Sequence, residues 1–127
     1  MKQIRNTFFI NANRDEIFNA LTNSLSIELW TGYPADMEPV PGKEFSLWEG
    51  DITGKNLEII PGNKIVQEWY YNDPENISIV TIELVDEKNG TRINLLQTNV
   101  PEDDFNNMVY GWKEYFFGAL KKYMEGK

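Results

Sequence analysis

Hydrophobic and polar positions follow two rhythms along the chain. Ile4, Phe8 and Ile10 fall on one side at period two, which predicts a half-buried strand over residues 4–10. Asn13 then offers an N-cap oxygen with Glu16 three places on, and Ile17, Phe18 and Leu21 form an apolar stripe, so a short helix begins there. A second short helix is expected from Ser24 to Trp30, stopped by Gly32 and Pro34.

From Met37 to Val100 the rhythm is that of strands. Pro41-Gly42, Glu49-Gly50-Asp51, Pro61-Gly62-Asn63, Asn72-Asp73-Pro74 and Lys88-Asn89-Gly90 are turn sequences separating β-rich runs at 44–48, 52–60, 64–71, 77–85 and 91–100. Connections of hairpin length make these an antiparallel meander. Val80, Ile82 and Leu84 alternate with Thr81 and Glu83, as Ile93 and Leu95 do with Arg92 and Asn94, which gives one core face and one wet face. Residues 52–60 are ambiguous in phase, because Leu57 and Ile59 fall opposite Glu58 and Ile60; a β-bulge would reconcile them.

After Pro101 the period becomes helical. Phe105, Met108, Val109, Trp112, Phe116, Ala119, Leu120 and Tyr123 recur at three and four, predicting a long helix from about Asp103 to Met124. Glu102, Asp103 and Asp104 at its start and Lys121 and Lys122 near its end suit the helix dipole. The acidic triplet has no loop template for a metal, so it reads as helix-start charge. The order of elements gives an α+β fold: a curved antiparallel sheet wrapped around a long carboxy-terminal helix, with two short helices after the first strand. No linker or repeat interrupts it, so a single domain over residues 1–127 is expected.

Composition narrows the chemistry. The 127 residues are 41% hydrophobic and 13% aromatic, ample for one core. There is no Cys and no His, which removes imidazole and thiolate zinc sites and Ser-His or Cys-His nucleophile pairs. Catalysis would fall to carboxylates, lysines or tyrosines, so binding without a cofactor or a bond-making step is the leading expectation. A net charge of −8 repels nucleic acid, and no apolar run approaches a membrane span, which makes cytoplasm the default location.

Several short sequences carry a resemblance across nearly the whole chain: Ala20-Leu21-Thr22 before Trp30, Pro41-Gly42 with Phe45, Gly50-Asp51-Ile52-Thr53-Gly54, and Ile65-Val66 with Trp69. Gly90-Thr91, Val100-Pro101 and Gly111-Trp112-Lys113 followed by Tyr115-Phe116-Phe117 continue it. In this order they resemble the helix-grip superfamily of START domains, birch-pollen-allergen-like proteins and polyketide cyclases, and within it the family named for the activator of the heat-shock-protein-ninety ATPase. The resemblance implies a cavity between sheet and long helix, and a chaperone ATPase as an alternative partner. In eukaryotic activators this kind of domain is the carboxy-terminal half of a longer protein whose amino-terminal domain carries much of the chaperone-stimulating contact. Such a half is not expected to accompany this domain, and Tyr70 follows Trp69 where the eukaryotic form typically has a basic residue.

In such a fold Trp30, Phe45, Trp69, Trp112 and Phe116 would face the cavity, where they would either pack as ordinary core or enclose a small apolar or amphipathic molecule. Tyr115, Gln97, Asn99 and Glu58 are the polar groups that would orient such a ligand. Gly111 and Gly118, seven residues apart on one helix face with Met108 and Tyr115 nearby, give up helix propensity either for close packing of the sheet or for room for a guest. Lys43, Lys55, Lys64 and Lys113 are where an acidic protein partner would be sought.

Overall fold

The computed structural model describes residues 2–70 and 77–126. Strand β1 (Lys2–Ile10) leads into helices α1 (Arg14–Thr22) and α2 (Ser24–Thr31). Strands β2 (Glu44–Leu47), β3 (Ile52–Ile60), β4 (Lys64–Tyr70), β5 (Ser78–Glu87) and β6 (Gly90–Val100) follow. They form one six-stranded antiparallel sheet in the order β1-β6-β5-β4-β3-β2, so the first strand closes onto the last and the two short helices cross from one edge to the other. The chain ends in a helical stretch over residues 105–125, completing a helix-grip fold. The expected turn at Asn72-Asp73-Pro74, and Tyr71 as the end of a strand, lie outside the described residues. Among the described residues no helix is long and apolar enough to cross a membrane.

The local chemistry accounts for these boundaries. Asn13 Oδ1 accepts from the Glu16 backbone N–H at 2.9 Å, while Asn13 Nδ2 donates to the Glu16 carboxylate at 2.9 Å, which ties down the first turn of α1. Asn23 caps α2 in the same way, accepting from Ser26 N at 3.0 Å, and Gly32 ends it in the left-handed conformation. The ambiguity in β3 resolves as a bulge: pairing with β4 runs from Asn56 opposite Gln67 directly to Glu58 opposite Val66. Leu57 is the extra residue, and past it the phase flips, turning Ile59 toward the core and leaving Glu58 exposed.

The carboxy-terminal stretch is not a plain α-helix. Helices α3 (Phe105–Gly111) and α4 (Phe117–Glu125) are joined by a π turn over Trp112–Phe116, in which the Phe117 N–H bonds the Trp112 carbonyl five residues back. The additional residue shifts the helical phase by roughly 100°. Phe116 and Phe117 are therefore both buried, and the buried series continues as Leu120 and Met124. Ala119 and Tyr123, which an unbroken period places innermost, are only partly buried.

Candidate functional site

Between the bent helix and the open end of the sheet lies a groove of about 400 Å³. Its floor is aromatic: Trp69 from β4, and Trp112 and Phe116 from the π turn. Trp69 and Trp112 stack at 4.8 Å between centroids with 28° between planes, and Phe116 lies 4.6 Å from Trp112. One wall comes from the β2–β3 connection, through Trp48, Asp51 and Ile52, and the other from Met108 and Gly111 of α3. Tyr33 and Tyr115, 51% and 62% exposed, form the mouth.

Buried hydrogen bonds fix the floor. Trp112 Nε1 donates to Gln97 Oε1 at 2.8 Å, and Trp69 Nε1 donates to Gln67 Oε1 at 2.9 Å. Gln67 Nε2 in turn donates to Asn56 Oδ1 at 3.0 Å, and Asn56 Nδ2 to the Glu38 carbonyl at 2.8 Å. With both indole N–H groups satisfied from behind, the little of these rings that reaches the groove is carbon, since Trp69 and Trp112 are 2% exposed and Phe116 7%. A second hollow of about 360 Å³ continues from Asp51, Ile52, Trp69 and Met108 toward Thr53, Tyr70, Asp104 and Asn107. There burial and then the Glu68 carboxylate, which accepts the Tyr70 hydroxyl at 3.2 Å, hold the Tyr70 phenol above its ordinary pKa.

Of the residues expected to face a cavity, Trp69, Trp112, Tyr115 and Phe116 line the groove. Five others lie elsewhere. Trp30 is buried behind it, its Nε1 donating to the Ala20 carbonyl at 2.7 Å and its ring edge-on to Phe116 at 5.2 Å. Phe45 is buried with its ring over Gly54 of the adjacent strand. Gln97 is fully buried and engaged by the Trp112 indole, so it orients a wall residue from behind. Glu58 is on the outer face because of the bulge, its carboxylate 3.9 Å from Lys64 Nζ. Asn99, left-handed at φ 59, turns its amide back to donate to the Ile77 carbonyl at 2.9 Å.

Gly118 lies away from the groove as well. A Cβ there would strike the Lys113 carbonyl, five residues earlier in the same π turn, so neither the sheet nor a guest explains this glycine. The π turn also rotates it off the face of Gly111, where a Cβ would meet open space. Sequence reasoning missed Tyr33, Trp48, Asp51 and Ile52. The available signal was Glu49-Gly50-Asp51, which marked a turn directly after Phe45 and Trp48.

Comparison with known proteins is consistent with this geometry. A model of the family described as Activator of Hsp90 ATPase homolog 1-like protein matches residues 11–125. An activator of 90 kDa heat shock protein ATPase homolog from Dictyostelium discoideum is 32% identical over 109 residues, covering 84% of this chain and 28% of its own length. The human homolog 1 is 23% identical over 110 residues, covering 85% and 32%. The chain thus spans about a third of the length of these curated relatives. Among solved structures, an HSP90 activator from Plasmodium falciparum superposes with a TM-score of 0.89 at 25% identity, covering 99% of this chain and 97% of that one.

Proposed function

The chain belongs to the family of Activator of Hsp90 ATPase homolog 1-like proteins, and within that family we propose that it binds a small apolar or amphipathic molecule in the aromatic groove. The observation that carries this reading is the groove itself: about 400 Å³, floored by Trp69, Trp112 and Phe116, with the indole N–H groups turned away and satisfied. That volume is in the range of small-molecule sites and is lined as they are, by apolar surface with few polar groups. Binding in this reading needs no cofactor and makes no bond.

The test uses Nile red, an uncharged apolar fluorophore. The native protein should give a saturable fluorescence increase. Gly111→Phe, whose side chain projects into open space, should melt as the native protein does and lose that increase. A native protein that never takes up the dye, and that carries no small molecule in native mass spectra when purified from its own host, overturns the reading.

A second reading, contact with a chaperone ATPase, is favoured by the Plasmodium protein, described as an HSP90 activator although this chain covers nearly all of it. The isolated chain would then raise the ATP turnover of its host's own chaperone. Absence of binding at tens of micromolar removes that reading.

A further inference from the structure

We propose that the groove selects an organic cation, an ammonium group carried on an aryl or alkyl body. The proposal rests on the groove-binding reading and goes further by naming the ligand's charge. Among the described residues six of the ten that line the groove are aromatic; Trp69, Trp112 and Phe116 are buried against one another, while Tyr33, Trp48 and Tyr115 keep ring surface open, and such rings attract cations through their quadrupoles. Among the described residues Asp51 is the only carboxylate in that lining, and it stands where the groove meets the second hollow, which adds Asp104. Neither lining contains Lys or Arg among the described residues. Among the described residues no ion pair occupies Asp51, and Asp104 makes no side-chain cap to α3, so both charges remain available to a ligand. The surrounding net charge of −8 adds a field of the same sign.

The complementarity is therefore two-part. The apolar body lies against Ile52, Met108 and Tyr115, above the buried Trp69, Trp112 and Phe116, and the ammonium group sits among Trp48, Tyr33 and the Asp51 carboxylate. An anion of the same shape meets like charge with no basic side chain to receive it, and a neutral body gains only the apolar part.

Benzyltrimethylammonium and its uncharged carbon isostere, neopentylbenzene, separate these cases at fixed ionic strength. The readout is the set of tryptophan indole N–H resonances, since Trp48, Trp69 and Trp112 line the groove and Trp30 does not. The expected result is saturable movement of the three groove indoles, Trp30 unmoved, with the cation binding about 3- to 30-fold tighter than the isostere. Asp51→Asn should bring the cation's affinity toward that of the isostere and leave the isostere's unchanged. Glu83→Gln, which removes one charge from the exposed outer sheet face, should change neither. Equal or tighter binding of the isostere, or an Asp51→Asn variant that keeps the full preference, overturns the cation proposal while leaving the groove reading standing. If neither compound moves the groove indoles, both fall.

Discussion

Gly118 and the Lys113 carbonyl approach so closely across the π turn that a single added methyl group would collide with the oxygen. Ordinarily glycine to alanine inside a helix stabilises by about 1 kcal/mol. Here the collision is with backbone, which cannot yield without unwinding the turn that buries both Phe116 and Phe117. Gly118→Ala should therefore destabilise by about 1–3 kcal/mol. Gly111→Ala, facing open space, should stabilise by up to about 1 kcal/mol. Urea melts of the two variants decide the matter, and equal shifts of the same sign would show that the π turn imposes no such constraint.

A second expectation concerns the polar chain behind Trp69. Gln67→Leu keeps the bulk at a buried position but leaves the Trp69 indole N–H and Asn56 Oδ1 without their partner. Each stranded group costs about 1–3 kcal/mol, so the urea midpoint should fall with the slope of the transition unchanged. Without its anchor the Trp69 ring is also free to turn, and Nile red uptake should weaken beyond what the lost stability explains. Unchanged melting would show that water replaces the amide.

The periodic parts of this fold were legible in the sequence, and the sites of broken period were not. Val80, Ile82 and Leu84 declare their strand because every second residue is buried. The bulge at Leu57 was signalled by a conflict of phase within β3. The π turn left a weaker mark, two unexplained glycines in a long helix, and assuming an unbroken 3.6-residue period misplaced the face of Gly118. The groove was half legible for the same reason. Trp69 lies in a regular strand, and Trp112 and Phe116 keep the helical spacing of four up to the point where the π turn shifts the phase, whereas Trp48 and Asp51 come from a connection whose path no periodicity specifies. Gln97 and Asn99 illustrate a further limit, since inward polar side chains are satisfied by partners distant in sequence, at Trp112 and Ile77.

A third expectation concerns acid. Glu125 Oε2 accepts from Lys121 Nζ at 2.8 Å and from the Asn11 backbone N–H at 2.9 Å, joining the end of α4 to the end of β1. The Lys121 hydrogen bond first, and then the Asn11 bond, hold its carboxyl below the usual carboxylate range. A folded pKa below the unfolded one means stability that is present above the unfolded pKa and lost as pH falls through the folded pKa. Glu125→Gln should thus melt lower than the native chain at neutral pH, and the gap should close on acidification through that window. A gap independent of pH would assign the loss to packing.

The last expectation concerns the groove wall at the β2–β3 connection. Trp48, Glu49 and Gly50 are consecutive left-handed residues with φ of 49, 55 and 97, a conformation that disfavours every side chain except glycine's by about 1–2 kcal/mol. Glu49 is exposed, so Glu49→Gly relieves the backbone at no loss of contact and should stabilise by about 0.5–1 kcal/mol once glycine's unfolded-state freedom is allowed for. Gly50→Ala should destabilise by about 1–2 kcal/mol through backbone conformation alone, since its Cβ meets nothing. Trp48→Gly relieves the same strain as Glu49→Gly but removes an indole packed 5.7 Å from both Trp30 and Phe116. It should melt below the native protein and lose Nile red uptake, while Glu49→Gly retains it. A Trp48→Gly variant that bound the dye normally would show that the strained connection does not build the wall of the site.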